Sequence, residues 1–133
     1  MEKELLNSDK ELLLKDLCAR LPYGVKVNYN EEICTIDSIG SDSELLLKNN
    51  DGEIVPKWED SLFISIEKCK PYLFPLSSMT GAHRAELFNL RIPIEHPFQD
   101  TLCEIDFYHR YHFDYRGLIE KGLAIDCTAL NVY

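Results

Sequence analysis

The strongest constraint on the fold is a change in hydrophobic period at Gly24. Beyond this residue, apolar side chains alternate with polar ones in short runs, as they do in half-buried strands. The runs continue to about Leu76 and are separated by turn-forming residues. Five short strands in about fifty residues, with one turn of helix before the last, predict a small five-stranded SH3-like β-barrel. An OB-like barrel is the alternative.

Turn signals set the boundaries of the predicted strands. Asn49-Asn50-Asp51-Gly52 is the strongest of them, because Asp-Gly accommodates the positive φ angles of a tight hairpin. Asn30-Glu31 is expected to form an earlier turn. The predicted strands and extended segments cover residues 25–29, 33–39, 44–48, 53–55, 62–66 and 70–76.

A helix over residues 9–20 is predicted before the strands. Ser8 and Glu11 have the spacing of a capping box, and Pro22 ends the helical pattern. The predicted apolar face, which would cover one side of the barrel, consists of Leu13, Leu14, Leu17, Cys18 and Leu21.

Two helices are predicted after the strands. Thr80 is expected to cap a helix over residues 81–90. Asp100 or Thr101 is expected to cap another, which runs to about His112. The buried residues predicted for this helix are Leu102, Ile105 and Tyr108.

The segment from His109 to Asp126 combines aromatic residues, two histidines and signals for a last short helix. Asp114 is expected to cap a helix over residues 115–121, which Gly122 would close in a left-handed conformation. The sequence therefore predicts an α+β chain in two parts. These are an N-terminal helix plus barrel at residues 1–76, and a subdomain of two or three short helices at 77–133 packed on it.

Composition favours a cytoplasmic chain without a membrane segment. No run approaches the roughly 18 apolar residues of a membrane span, and the Met1-Glu2-Lys3-Glu4 start lacks the pattern of a secretory signal. The five cysteines are widely spaced and form no C-x-x-C, which indicates reduced thiols. The net charge of −9 disfavours unaided binding to DNA or anionic lipid and suits a basic protein partner.

Weak candidates for a metal site are His109, His112 and Asp114. Histidines three residues apart on a helix can share a metal ion, which a carboxylate can help to bind. The His-Glu-x-x-His pattern of zinc proteases is absent. The alternative is a structural corner in which His109 is solvated, His112 bonds a carbonyl and Phe113 is buried. The sequence predicts no cofactor.

Aromatic residues are the candidates for partner binding. A peptide groove could use Tyr23, Tyr29, Trp58, Tyr72 and Phe74, and the alternative is that most of them pack in the core or rim of the barrel. Trp58 is the ring most expected to be exposed, because charged residues flank it. Tyr115 and Arg116 are expected at the surface of the corner.

Three blocks of the sequence resemble a family of small proteins from gut anaerobic bacteria, their prophages and their mobile elements. The blocks are residues 11–26, 70–80 and 112–124. The resemblance implies a genetic context and no particular activity. The chain departs from the family at Gly81-Ala82-His83, where acidic residues are usual, and the start of that helix is expected to be weakened.

The sequence thus favours a non-enzymatic interaction or accessory protein of a phage or mobile element, with a host or phage protein as partner. One alternative is a metal-dependent hydrolase that uses His109, His112 and Asp114. The other is a nucleic-acid-binding barrel whose lysines cluster on one face, namely Lys26, Lys48, Lys57, Lys68 and Lys70.

Overall fold

The computed structural model describes residues 7–40, 44–55, 64–91 and 97–133. The chain is α+β, with an N-terminal helix, a mostly antiparallel sheet and two further helices. No helix within the described ranges is long and apolar enough to cross a membrane. The predicted Trp58 lies outside the described residues.

Helix α1 spans Asn7–Arg20 and packs one stripe against the sheet. Leu13 and Leu17 are buried as predicted, whereas Cys18 is exposed, contrary to its predicted place on the apolar face. The reason is that Asp16 and Arg20 share the buried stripe, at helical spacing from Leu13. The predicted capping box is also wrong, because the helix already includes Asn7 and Ser8.

The sheet is built from short strands that are hydrogen-bonded mainly to their sequence neighbours. The first six strands are β1 (Lys26–Tyr29), β2 (Glu32–Ile39), β3 (Glu44–Lys48), β4 (Ile54–Val55), β5 (Ile64–Ser65) and β6 (Lys70–Pro75). Strand β3 pairs with β2 on one side and with β4 and β5 on the other. Strand β1 pairs with both β2 and β6. These boundaries agree closely with the predicted strands.

The sheet continues into the C-terminal half of the chain. Strands β7 (Phe113–Asp114) and β8 (Ile125–Asp126) both pair in parallel with β6. The described strands thus number eight in a sheet that does not close, and a five-stranded SH3-like barrel is not confirmed. The two predicted parts of the chain share this one sheet, since β6 belongs to the first part and β7 and β8 to the second.

One hydrophobic core fills the space between α1 and the sheet, and residues after β7 complete it. Its members with at most 1% exposure are Leu13, Leu17, Val25, Val27, Cys34, Leu45, Leu47, Ile66, Cys69, Leu73 and Leu118. A smaller core consists of Leu87, Phe107 and Phe113. All five cysteines are free thiols, as the sequence predicts.

Helix α2 spans Gly81–Arg91, and Thr80 caps its start as predicted. The Thr80 hydroxyl accepts a hydrogen bond from the His83 amide, and His83 Nδ1 accepts one from the Thr80 amide. This reciprocal pair is a capping box in which an imidazole replaces the usual Glu or Gln. The Gly81-Ala82-His83 departure therefore does not leave the helix start uncapped.

Helix α3 spans Pro97–Arg110, so it begins before the predicted caps Asp100 and Thr101 and ends two residues before His112. Proline suits the first turn of a helix, where its missing N–H costs nothing. Ile105 and Tyr108 are only half-buried, and Phe107 is the fully buried residue. The predicted burial of Leu102 falls on a side chain outside the described part of the structure.

The predicted last helix is wrong, because residues 115–122 form a series of turns. Gly117 has φ +75°, which interrupts a right-handed helix two residues after its predicted start. Asp114 still caps the segment, since its two carboxylate oxygens accept hydrogen bonds from the amides of Leu118 and Ile119. Gly122 is left-handed as predicted.

The β1–β2 turn offers a test of backbone strain. Asn30 and Glu31 have φ +51° and +64°, and Glu tolerates this region less well than Asn or Gly. We expect Glu31→Gly to raise the free energy of unfolding by about 0.5–1 kcal/mol, because relief of the left-handed strain exceeds the added entropy of the unfolded chain. Denaturant unfolding should show a smaller gain for the control Asn30→Gly. A loss of stability in Glu31→Gly would contradict the assigned turn.

Candidate functional site

A fully buried arginine joins the N-terminal helix to the C-terminal half of the chain. Arg20, the last residue of α1, is 0% exposed and donates from Nε to Asp16 Oδ2 at 2.8 Å. Its two terminal nitrogens donate to the main-chain oxygens of Tyr108 and Phe113, at 3.3 and 2.5 Å. The guanidinium therefore joins α1 to the end of α3 and to β7, by bonds that use its planar fork of donors.

A second layer of polar contacts surrounds the buried pair. Arg116 Nε donates to the other oxygen of Asp16 at 3.2 Å, and its guanidinium lies over the Tyr115 ring at 4.9 Å. The Tyr115 hydroxyl is 2.6 Å from His109 Nε2. Burial, followed by the nearby Arg20 cation, lowers the pKa of His109. We refer to Asp16, Arg20, His109, Tyr115 and Arg116 as the arginine cluster.

The chain turns sharply after α3, at the residues that the arginine cluster anchors. His112 has φ +60°, a conformation that is uncommon outside glycine but that histidine, like Asn and Asp, adopts more often than other residues do. Its main-chain oxygen accepts a hydrogen bond from the Phe74 amide at 2.8 Å. Phe113 then enters the core with 1% exposure. The predicted burial of Phe113 is confirmed.

The corner forms one wall of an open pocket of about 400 Å³. Six of its lining residues carry aromatic or imidazole rings, and three of the others carry hydroxyls. The lining residues are Phe74, Ser78, Thr80, His83, Arg110, Tyr111, His112, Phe113, Thr128 and Tyr133. We refer to this feature as the aromatic pocket.

The rings of the aromatic pocket hold one another in place. His83 contacts both Tyr111 and Phe113, with ring centroids 5.0 and 5.1 Å apart. His112 stacks on Tyr133 at 3.8 Å with an interplanar angle of 12°. Such contacts add to the stability that burial supplies and restrict the rotamers of the rings. The pocket wall is therefore formed before any ligand arrives.

His112 is neutral around pH 7. Its ring is 5% exposed, and burial, followed by the Arg20 and Lys26 cations, lowers its pKa to about 4. Its Nδ1 atom is buried without a hydrogen-bond partner, contrary to the predicted bond to a carbonyl. Within the described part of the chain it is the one buried side-chain nitrogen or oxygen in this condition.

The structure separates the predicted partner-binding residues. Phe74 lines the aromatic pocket, whereas Tyr72 is buried in a small cluster with Cys127 and Val132. Arg116 belongs to the arginine cluster. Tyr115 belongs to it too and lines a second cavity of about 390 Å³, together with Pro75 and Asp114.

Two of the three weak metal candidates, His109 and Asp114, are occupied by other contacts. His109 is 8% exposed and bonded to Tyr115, so the prediction that it is solvated is wrong. Asp114 uses both oxygens to cap the next turns. In the ranges that the structure describes, no group of three or more His, Cys, Asp or Glu residues is arranged to hold a metal ion.

Sequence reasoning missed most of the aromatic pocket. His83, Tyr111 and Tyr133 come from α2, from the turn after α3 and from the tail, and no local pattern joins them. The aromatic density between Phe107 and Tyr115 was a usable signal for part of it, because tyrosine is enriched at binding interfaces.

The arginine cluster predicts an unusually costly Asp→Asn substitution. We expect Asp16→Asn to lower the free energy of unfolding by about 3–5 kcal/mol, because it leaves the Arg20 charge buried without its partner. Asp37→Asn is the matched control, since the Asp37–Lys48 pair is more than a third exposed at both side chains and should lose less than about 1 kcal/mol. If denaturant unfolding shows that Asp16→Asn and Asp37→Asn lose the same free energy of unfolding, the Asp16–Arg20 pair does not have the structural role assigned to it.

A second prediction concerns acid stability. The folded state resists protonation of His112 until about pH 4, whereas the unfolded chain protonates near the ordinary pKa of about 6.5. The contribution of neutral His112 to the free energy of unfolding is therefore fully present above about pH 6.5 and is lost as the pH is lowered towards 4. Asparagine tolerates positive φ and does not titrate, so His112→Asn removes this pH dependence. Between pH 7 and pH 4, the free energy of unfolding should fall by about 2–3 kcal/mol less in His112→Asn than in the parent protein. Identical pH dependence of unfolding would exclude this role.

Comparisons with known proteins add no family to this description. No protein-family model matches the chain, no curated protein matches it, and no solved structure matches its fold. The function is therefore inferred from the geometry of the site itself.

Proposed function

We propose that the chain is a non-enzymatic interaction protein that captures a protein partner by holding one of its side chains in the aromatic pocket. The observation that carries this proposal is the cavity of about 400 Å³, open to solvent and walled by six rings. Binding pockets of this size, mainly apolar with a few polar groups, are typical of specific recognition.

The rigidity of the wall supports the proposal. Tyr111 donates its hydroxyl hydrogen to Glu86 at 2.7 Å, and Tyr133 donates to the main-chain oxygen of Tyr72 at 2.9 Å. Rings that are already ordered lose little conformational entropy when a partner binds, so more of the contact energy appears as affinity. Anchor residues that fill such pockets usually dominate the energy of an interface.

Charge and resemblance bear on the partner. The net charge of −9 supports a partner with a basic surface around the anchor residue, whose association slows as salt increases. The resemblance to proteins of prophages and mobile elements implies a host or phage protein, and we retain this as part of the proposal. Trp58 remains a predicted second contact.

Filling the pocket tests the proposal without removing any core residue. Thr128 is exposed and lines the pocket, so we expect Thr128→Trp to block it and to reduce capture of a stoichiometric partner from cell lysate by at least about tenfold. Ala129→Trp is the matched control, because Ala129 is exposed and does not line the pocket. Quantitative pull-down with the three tagged proteins, after their melting temperatures are shown to agree, makes the comparison.

Two results would contradict the proposed function. The first is equal capture by Thr128→Trp and Ala129→Trp, which would move the interface elsewhere. The second is repeated failure of the parent protein to retain any stoichiometric partner in low salt, where charge attraction is strongest.

A further inference from the structure

The aromatic pocket has no uncompensated charge among its described lining residues. Arg110 is the one lining residue there with a formal charge at neutral pH. Its Nη2 donates to Asp106 at 2.8 Å, and its Nη1 lies 3.8 Å from Glu86 Oε1. Two carboxylates therefore already face this guanidinium. A charged group that entered the pocket would lose hydration without gaining a free counter-charge.

The hydroxyl groups of the pocket have already committed their hydrogens. Ser78 donates to the main-chain oxygen of Pro75 at 2.7 Å, and Thr128 donates to Asp126 Oδ1 at 2.5 Å. His83 Nδ1 accepts from the Thr80 amide, so this nitrogen carries no hydrogen. The Thr80 hydroxyl, 3.1 Å from the same atom, is therefore the donor of that contact.

The two tyrosines follow the same rule, since Tyr111 donates to Glu86 and Tyr133 to a main-chain oxygen. Every lining hydroxyl thus donates to the protein, and what the hydroxyls of Ser78, Thr80 and Thr128 can still offer is lone pairs. A ligand matches them when it brings an N–H or O–H group to the edge of a flat apolar body.

We infer that the occupant of the aromatic pocket is a tryptophan or tyrosine side chain of the partner, whose indole N–H or phenol O–H donates to a lining hydroxyl oxygen. This inference rests on the proposed function and specifies the chemistry of its anchor residue. Both side chains combine a large ring with one donor, and both are frequent anchors at interfaces. A phenylalanine or leucine side chain would fill the space and leave the acceptors unmatched.

The test uses small probes that differ by one methyl group. Indole and 1-methylindole have similar shapes, but only indole can donate, and p-cresol and 4-methylanisole form a second such pair. We expect indole and p-cresol to shift the amide resonances of Phe74 and Tyr111 in titrations followed by NMR. Their methylated partners should bind about three- to tenfold more weakly, the range for one hydrogen bond.

Removal of the acceptors provides the matched control. The double variant Ser78→Ala, Thr128→Val keeps nearly the same shapes and should reduce the preference for indole over 1-methylindole towards one. A preference that survives in this variant, which keeps the Thr80 hydroxyl, would overturn the assignment of the acceptor to Ser78 and Thr128. If the methylated probes bind the parent protein as tightly as indole and p-cresol do, the inference that the occupant donates a hydrogen bond is overturned.

The outcomes distinguish this inference from the proposed function. If Thr128→Trp abolishes partner capture while no donor probe binds, the proposed function stands and the anchor is not Trp or Tyr. If Thr128→Trp leaves capture unchanged, the proposed function fails whatever the probes do. Tighter binding of phenethylamine or phenylacetate than of indole would show that the pocket selects charge, and stronger shifts with single-stranded DNA would show that it stacks bases. Both would overturn the inference.

Discussion

The buried guanidinium of Arg20 is the contact on which the C-terminal half of the structure depends. It ends α1, neutralises Asp16 and bonds two main-chain oxygens that are far away in sequence, those of Tyr108 and Phe113. Burial of an arginine is costly unless its donors are satisfied, and here the bonds also fix where α3 must end. The ion pair thus specifies one arrangement of helix and corner.

The corner in turn determines the aromatic pocket. Once Phe113 is held by Arg20 and paired beside Phe74 in the sheet, His112 must turn through a positive φ angle and its ring comes to rest on Tyr133. The capping imidazole of His83 completes the wall from α2. Three segments with no local pattern in common therefore form one pocket, and the proposed recognition of a partner rests on their packing.

Sequence reasoning predicted what local chemistry decides. The alternation of β1 to β3, the Thr80 cap and the burial of Phe113 follow from patterns within a few residues, and the structure has all three. The last helix was wrong because Gly117 favours a left-handed turn over the continuation suggested by its neighbours. The polar residues Asp16 and Arg20 on a buried stripe, and the parallel pairing of β7 and β8 with β6, arise from tertiary contacts that no window of sequence contains.

Hydrogen exchange in Arg20→Met tests most directly whether Arg20 controls the corner. Methionine keeps an apolar stem of similar length and removes the donors. If Arg20 holds the corner in place, protection is lost at the amides of Phe74, Leu118 and Ile119, which bond to His112 and Asp114, while the amides of the β2–β3 pair keep theirs. Unchanged protection at Phe74, Leu118 and Ile119 in a folded variant would show that the corner forms without the Arg20 hydrogen bonds.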